Sequence, residues 1–272
     1  MDFVCPKCRA ELKLDGNVKK CENGHSFDRA RAGYYNLLLG SSGGVHGDNR
    51  EMVEARRRFL SADNYLPLAS RLGELAAEYS VDGGVILDCG CGEGYYTAKI
   101  YSALSKAKKG FDLLAFDISR DAVKLAAKAC AGASFAVASC YSIPIFDGVV
   151  DLALNVFSPL APEEMYRVLK PRGRYIVAYP DVYHLYELKA AIYDTPYENA
   201  PSTAVPNGFS LLKRERVAYN LNLSGAEELR DLFMMTPYAY RTGKKERERL
   251  EKMQNLATRV EFLIDIYEKR AD

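Results

Sequence analysis

Features of membrane and secreted proteins are missing from this chain of 272 residues. No stretch approaches the roughly 18 consecutive apolar residues of a membrane span, and the N-terminus lacks the basic-then-apolar pattern of a signal peptide. We therefore expect a cytoplasmic protein without a membrane partner. A strong charge of either sign is also missing. The formal net charge is +1, so a nucleic-acid partner has to be argued from local basic patches.

The composition is that of a globular protein. Apolar residues make up 48 % of the chain, and its length suffices for one large and one small domain. Seven cysteines would leave one unpaired in a fully oxidised chain. Three of them share a short stretch with a histidine, and the other four lie in apolar or glycine-rich surroundings. This distribution indicates a reducing compartment, one metal site and several core thiols.

The segment CPKCRAELKLDGNVKKCENGH, residues 5–25, has the spacing of a metal site. Cys5 and Cys8 form a C-P-x-C turn, and Cys21 and His25 form a second knuckle. Zinc favours thiolates and imidazole in a tetrahedron, and four protein ligands leave no position for a substrate. We therefore predict one structural Zn²⁺ ion, without which so small a module would not fold. The alternative is a disulfide with two spare residues, which the missing secretion signal disfavours.

Helices and strands alternate in the rest of the chain. Helical periodicity over 51–79 breaks near 62–64, and strands follow at 85–89, 112–117, 134–139, 149–157 and 173–180. The helices predicted between them, at 95–105, 119–130 and 162–169, imply right-handed crossovers and a parallel sheet. Segments 217–223 and 257–270 would complete this sheet as an antiparallel hairpin. We predict a zinc-binding domain at 1–38, a flexible linker at 39–50 and a second domain at 51–272.

The stretch VILDCGCGEGYYT, residues 85–97, is the sharpest sign of a ligand site. Asp88 ends a predicted strand, glycines follow at alternate positions, and a helix starts at once, so backbone and free N–H donors can approach a ligand. Asp117 ends the next strand and can accept both hydroxyls of a ribose. The layout resembles S-adenosylmethionine-binding methyltransferases, in which Asp88, Gly90 and Gly92 would line the methionine part and Asp117 would hold the ribose. A generic strand-turn-helix glycine cluster is the alternative.

Two later strand ends complete the candidate site. Ser139, after the third strand, is expected to meet the adenine. The stretch NVFSPL, residues 155–160, ends the fourth strand, where many methyltransferases that act on base nitrogens hold a planar base. Asn155 and Phe157 would supply the polar group and the ring, although packing in the core explains Phe157 equally well.

From end to end the chain resembles the 23S ribosomal RNA guanine-N1 methyltransferases, a family that includes the tylosin-resistance enzymes. Beside the metal ligands, the resemblance is carried by FDRARAGYYNLL (27–38), EMVEARRRFL (51–60), LDCGCGEGYYT (87–97), LKPRGRYI (169–176), HLYELK (184–189) and MTPYAYR (235–241). It implies a class I S-adenosylmethionine-dependent fold of the α/β class. Such a fold has a Rossmann-like, mostly parallel seven-stranded sheet, here with a small N-terminal zinc-binding domain.

The resemblance also implies an activity and its partners. The expected reaction moves a methyl group from S-adenosylmethionine to N1 of a guanine in a 23S rRNA hairpin, which a homodimer grips with help from its zinc modules. The residues expected to contact S-adenosylmethionine are Tyr65, Gly92, Glu93, Asp117 and His184. Which guanine is modified stays open, as does the choice between ribosome tuning and macrolide resistance. The chain departs from the family at residues 40–48, where relatives often carry a basic stretch, and at Tyr141, where histidine is commoner.

No single catalytic base stands out. Guanine N1 carries a proton, and Asn155, Asp181 and His184 are candidates by their places at strand ends, with His184 better suited to orienting the cofactor. The arginine run at 56–58 fans around a helix, so its members should face different partners, RNA or an acidic surface. Two other functions stay open: a small-molecule S-adenosylmethionine-dependent methyltransferase, and a non-catalytic zinc-ribbon RNA-binding protein with a methyltransferase-like body.

Overall fold

The computed structural model describes residues 1–40, 47–200 and 204–271 of the chain. Its elements confirm the predicted alternation of helices and strands. Helix starts follow local capping chemistry, since the side chain of Asn49 accepts the N–H of Met52 and that of Ser119 accepts the N–H of Ala122. The strands predicted at 173–180 and 217–223 begin earlier, at Leu169 and Phe209. The added residues are mostly exposed, and apolar alternation is weaker there.

The element bounds are as follows. The strands are β1 Lys13–Asp15, β2 Val18–Lys20, β3 Ser26–Asp28, β4 Tyr35–Asn36, β5 Gly84–Cys89, β6 Phe111–Asp117, β7 Ser134–Val137, β8 Val150–Val156, β9 Leu169–Pro180, β10 Phe209–Ser224 and β11 Asn255–Lys269. The helices are α1 Arg50–Ser61, α2 Leu66–Tyr79, α3 Tyr95–Ala107, α4 Arg120–Ala129, α5 Pro162–Val168, α6 Tyr186–Ile192, α7 Ala226–Met234, α8 Tyr238–Arg241 and α9 Lys244–Glu251. Among the described helices, none is both long enough and apolar enough to cross a bilayer.

Eight strands form the main sheet, in the order β10-β11-β9-β8-β5-β6-β7-β4. Neighbours from β9 to β4 pair in parallel, and β11 pairs antiparallel with β9 and β10. The seven strands that follow residue 50 form the predicted sheet. The eighth, β4, belongs to the segment predicted as the zinc-binding domain, and it pairs Tyr35 with Ala136 and Asn36 with Val137. A strand of two residues is too short for its alternation to be recognised in the sequence.

The two faces of the sheet are covered differently. Helices α1, α2, α3, α6, α7 and α9 pack on one face, around Ile86 of β5, and α4 extends this layer. The opposite face buries Leu114 and Phe116 of β6 against the N-terminal module, residues 1–38. Phe3 and Leu12 of the module are part of that core and are almost fully buried.

The N-terminal module takes the place of a crossover helix. Residues 138–149 carry the chain from β7 to β8 without a helix, whereas α3, α4 and α5 serve the neighbouring crossovers. The N–H of Val4 donates to the Pro144 carbonyl at 2.8 Å. Arg9 donates to the Ile145 carbonyl at 2.7 Å and pairs with Asp147 at 3.0 Å. The module is therefore a layer of the core and not an appended tip.

The predicted linker at 39–50 is described in part. Residues 41–46 lie outside the described residues, and with them most of the segment 40–48 that is expected to depart from the family. Residues 47–49 contact the large domain, because the Ser119 hydroxyl donates to the Asp48 carbonyl at 2.9 Å.

Candidate metal centre and active site

The four predicted metal ligands lie together. The ligand atoms of Cys5, Cys8, Cys21 and His25 fall within 4.8 Å of one another. Nδ1 of His25 is 3.4 Å from the sulfurs of Cys5 and Cys21, and the sulfurs of Cys8 and Cys21 are 3.7 Å apart. Zinc bonds of about 2.3 Å to sulfur and about 2.0 Å to nitrogen give tetrahedral edges of roughly 3.5–3.8 Å, so these positions fit Zn²⁺. All seven cysteines are free thiols, and the disulfide alternative is wrong.

The three glycines of the loop between β5 and α3 have different structural roles. Gly90, Gly92 and Gly94 all have positive φ, at 81°, 55° and 93°. A Cβ on Gly90 would lie 2.3 Å from Cβ of Ser158, and one on Gly94 would lie 2.7 Å from Cα of Ala126. A Cβ on Gly92 would meet no atom nearer than the guanidinium of Arg56, at 4.0 Å. The outer glycines therefore permit close packing, and the middle one leaves space for a ligand.

Two carboxyls flank this loop, of which Asp88 is buried and Asp117 is half-buried. Asp88 accepts the hydroxyl of Thr97 at 2.6 Å, and burial raises the pKa of Asp88 to about 6. Asp117 accepts the N–H of Gly92 at 3.0 Å and that of Ser119 at 2.8 Å, one on each oxygen. A carboxylate oxygen has two lone pairs, so both oxygens of Asp117 can accept a further hydroxyl. This geometry suits the two hydroxyls of a ribose.

Buried polar atoms without a hydrogen-bond partner gather near the loop. They are the hydroxyls of Tyr65 and Tyr96 and Oε1 of Glu93. Burial raises the pKa of the Glu93 carboxyl, and the positive charge of Arg56 opposes that rise. An unpaired buried polar atom destabilises the protein by about 1–3 kcal/mol. A ligand that forms hydrogen bonds with these atoms removes this cost, and its binding is strengthened accordingly. The ammonium, carboxylate and hydroxyl groups of S-adenosylmethionine match this donor and acceptor set.

His184 is held as a neutral imidazole. Burial and, to a lesser extent, the charge of Lys189 lower its pKa to about 3. Nδ1 accepts the N–H of Glu261 at 3.2 Å, which leaves the proton on Nε2. The ring centre lies 4.6 Å from that of Phe262 and 6.1 Å from that of Tyr65. His184 and Tyr65, 119 positions apart in sequence, therefore share one aromatic cluster, and His184 offers a hydrogen-bond donor.

A pocket of about 320 Å³ opens at the carboxyl ends of β8 and β9. Asn155, Phe157, Ser158 and Tyr179 are among its lining residues. Asn155 is buried and donates to the Pro159 carbonyl at 3.1 Å. Phe157 is 41 % exposed and has a φ of 58°, a conformation that a bulky side chain rarely adopts. This strain holds an aromatic ring at the mouth of the pocket.

The pocket is tied directly to the glycine loop. The hydroxyl of Ser158 donates to the Cys89 carbonyl at 2.8 Å, immediately before Gly90. The loop that ends β8 and the loop that ends β5 therefore keep a fixed separation. A ligand on the glycine loop and a planar group beside Phe157 would meet at this junction, which is the arrangement that transfer between two bound molecules requires.

Comparison with known proteins identifies the family. Residues 80–255 match the family model described as "Methyltransferase domain", and residues 3–39 match the one described as "RlmA, N-terminal". The "23S rRNA (guanine(748)-N(1))-methyltransferase" of Streptomyces fradiae is 38% identical over 191 residues, which are 69% of this chain and 66% of that protein. The "Putative 23S rRNA (guanine-N(1)-)-methyltransferase YxjB" of Bacillus subtilis is 30% identical over 265 residues, 93% of this chain and 92% of that protein. The chain belongs to the 23S rRNA (guanine-N1) methyltransferase family.

One solved structure supports the architecture of this methyltransferase. The crystal structure of the [4+2]-cyclase SpnF superposes with a TM-score of 0.50 at 19% identity, over 75% of this chain and 81% of that one. At that identity the likeness shows the fold alone, because one fold hosts many reactions.

The remaining predicted site residues of the methyltransferase have structural partners of their own. Ser139 accepts the N–H of Tyr141 at 3.2 Å in a turn after β7. Asp181 accepts the N–H of Val182 at 2.8 Å and the guanidinium of Arg216 at 2.9 Å. Ser158, Thr97 and Arg56 were not predicted as site residues. All three lie in conspicuous stretches of the sequence, but their roles become visible only through their contacts: Ser158 with Cys89, Thr97 with Asp88 and Arg56 with Asp48.

Proposed function

We propose that this chain transfers a methyl group from S-adenosylmethionine to N1 of a guanine in a 23S rRNA hairpin. The observation that carries the proposal is the Ser158 bridge between the glycine loop and the pocket at β8 and β9. The likeness to the Streptomyces fradiae and Bacillus subtilis proteins supplies the acceptor. A chain with this substrate would work in the cytoplasm.

The residues of the proposed donor site have distinct tasks. Asp117 would accept the ribose hydroxyls, Asp88 and the glycine backbone would line the methionine part, and Glu93 would face its ammonium group. Tyr65 and His184 would close the site with a hydroxyl and an imidazole N–H, and Ser139 would meet the adenine edge. When bound, S-adenosylmethionine supplies an electrophilic methyl group on a sulfonium.

The acceptor side would act through positioning. Phe157 offers a face on which a flipped-out guanine can stack, and Asn155 lines the pocket beneath it. Alignment of this kind is worth about 7–11 kcal/mol of the barrier. His184 has its proton on Nε2 and Asp181 is paired with Arg216, so we assign the role of general base to neither. Asn155 has no basic atom. We propose that a water molecule accepts the proton from N1.

Labelled S-adenosylmethionine tests the function. The protein is incubated with unmodified 23S rRNA, with a metabolite extract, or with neither. Label in RNA, with a primer-extension stop at one guanine, supports the proposal, because N1-methylation blocks the pairing edge of the base. Label in a metabolite would support a small-molecule enzyme instead. Binding of the RNA hairpin without any transfer would support a non-catalytic binding protein.

Replacing the ribose acid should weaken donor binding. We expect Asp117→Asn to raise the Kd for S-adenosylmethionine about 100-fold, because an amide accepts on one atom where the carboxylate accepts on two with full charge. Isothermal titration calorimetry without RNA measures this. Asp121→Asn, at an exposed position of α4, is the matched control. A Kd for Asp117→Asn within threefold of wild type would remove Asp117 from the site.

A basic surface for RNA lies at the seam between the N-terminal module and α4. Arg120, Lys124 and Lys128 are exposed and lie four residues apart, so they follow one face of α4. Arg29 and Arg31 of the module, also exposed, line a groove of about 440 Å³ that runs beside the same helix. These five cationic side chains form a local basic patch at the seam, although the net charge of the whole chain is close to zero.

Neutralising this surface should weaken RNA binding and leave donor binding intact. We expect Lys124→Gln with Lys128→Gln to lower affinity for the rRNA hairpin about tenfold at 0.15 M salt, and to reduce the salt slope by about 2. The control is Lys106→Gln with Lys109→Gln, which removes the same charge at the far end of α3, away from the glycine loop. Equal losses in both double variants, in a filter-binding salt series, would contradict a specific surface.

We further propose that the protein acts as a homodimer that clamps the hairpin. This rests on the resemblance to the family, and light scattering of the purified chain tests it.

A further inference from the structure

Three consecutive arginines on α1 have three different surroundings. Arg57 is exposed. Arg58 forms two hydrogen bonds with Asp231, at 2.8 and 2.6 Å. Arg56 turns inward and pairs with the carboxylate of Asp48, and it also donates to the Met235 carbonyl at 3.3 Å. The three arginines therefore have different environments, although they carry the same charge. Arg56 alone of the three reaches the glycine loop, where its guanidinium lies 4.0 Å from the Cβ position of Gly92.

The partner of Arg56 lies on a segment beside the candidate donor site. Residues 47–49, here called the strap, run over the chain just beyond Asp117. The Asp48 carbonyl accepts the Ser119 hydroxyl, and Asn49 caps α1. A Cβ on Gly47 would lie 2.8 Å from the Ile118 side chain and 3.0 Å from the Ser119 nitrogen, so the strap is in close contact with the end of β6.

Arg56 also stands among acids from separate elements. Asp48 faces it from the strap, Glu93 from the glycine loop and Asp117 from the end of β6. Burial raises the pKa of both Glu93 and Asp117, and Arg56 lowers the pKa of both. For Asp117 the N–H groups of Ser119 and Gly92 also lower the pKa, and the charge of Asp48 raises it. Burial would lower the pKa of Arg56 itself, but the three acids raise it, so its charge persists. One guanidinium therefore joins the strap to the two acids that would hold the donor.

We propose that Arg56 is a positioning residue for the methyl donor. It fixes the strap beside the ribose acid through Asp48, and its positive charge faces Glu93 and Asp117, the two acids that would accept groups of the donor. This inference rests on the proposed function, since it assumes that the donor occupies the glycine loop. Arg56 acts through the strap and the acids and not on the sulfonium. Loss of Arg56 should therefore weaken the binding of S-adenosylmethionine and of S-adenosylhomocysteine to the same extent.

The matched comparison is Arg56→Gln against Arg57→Gln, two substitutions with the same charge change on adjacent helix positions. In calorimetry at pH 8 without RNA, we expect Arg56→Gln to raise the Kd of both ligands about 30-fold. Arg57→Gln should raise it by less than twofold. Arg56→Lys should recover part of the loss, because the charge remains and one contact is lost. Melting curves verify folding, and Arg56→Lys serves alone if the glutamine variant does not fold.

Two further readouts separate positioning from a general loss of structure. Without Arg56, the pKa values of Glu93 and Asp117 rise, so fewer of these groups are charged at pH 6. Donor affinity of Arg56→Gln should therefore fall from pH 8 to pH 6 more steeply than that of wild type. Amide exchange in residues 47–53 should quicken in the Arg56 variant and stay unchanged in the Arg57 variant.

The outcomes are distinguishable. Wild-type affinity in Arg56→Gln, or equal exchange of the strap in both variants, would overturn the role of Arg56. Failure of the wild type itself to bind either ligand would overturn the proposed function. The exchange experiment needs no ligand and would still decide whether Arg56 holds the strap.

Discussion

Stripping zinc from the Cys5, Cys8, Cys21 and His25 cluster should lower the thermal midpoint of the whole methyltransferase by about 10–20 °C. Cys5 and Cys21 are buried in the same core as Leu114 and Phe116 of the sheet. Without the ion, the ligand residues no longer hold the two knuckles together. The module that replaces a crossover helix then opens, and one face of β6 and β7 is exposed to water.

Scanning calorimetry with and without a chelator measures this effect. We expect one transition that moves down as a unit, together with faster amide exchange in β7, whose Val137 carbonyl accepts the N–H of Leu37 in the module. Cys21→Ser should reproduce the shift in the presence of zinc. Cys130→Ala is the control, because Cys130 is a buried thiol outside the cluster. Two separate transitions, with the upper one unmoved by chelation, would contradict the integral role of the module.

Gly90→Ala should reduce kcat/KM for methyl transfer by about 100-fold. The added Cβ would lie 2.3 Å from Cβ of Ser158, which is close to the main chain and cannot rotate away. The loop that ends β8 therefore has to shift, and Phe157 shifts with it. A displacement of about 1 Å between donor and acceptor is enough for a loss of about two orders of magnitude.

The control removes the contribution of backbone strain. Gly83 has a φ of 71°, close to the 81° of Gly90, but a Cβ there meets nothing within 4 Å. Gly83→Ala should therefore cost about 1–2 kcal/mol in stability and leave methyl transfer nearly unchanged. The double variant Gly90→Ala with Ser158→Gly removes the clashing side chain and should regain part of the activity. If Gly90→Ala and Gly83→Ala lose activity equally, the contact with Ser158 is not what limits transfer.

Features with short-range signals could be predicted from the sequence. The four metal ligands follow from the spacing of two knuckles, and the glycine loop with Asp88 and Asp117 follows from the ends of two apolar strands. Capping by Ser119 and the break between α1 and α2 are equally local. In each case the residues that determine the feature lie within a few positions of one another, or at equivalent places in a repeated strand-helix unit.

Features that depend on contacts between distant segments could not be predicted. The helical spacing of the arginine run at 56–58 predicts different partners for its members, but only the packing shows that Arg56 pairs with Asp48 of the strap and Arg58 with Asp231. The strand β4 and the module's place under the sheet depend on the missing helix after β7, which leaves an apolar face to cover.

The sequence by itself therefore determined which groups are present: a zinc-binding set, a glycine loop with its acids, and an alternation that forms a parallel sheet. The tertiary structure decided which of these groups meet. Ser158 reaches Cys89, and Tyr65 reaches His184, across 69 and 119 positions. The physical reason is that local periodicity specifies the elements, whereas the close contacts between them arise only when their side chains compete for the same buried volume.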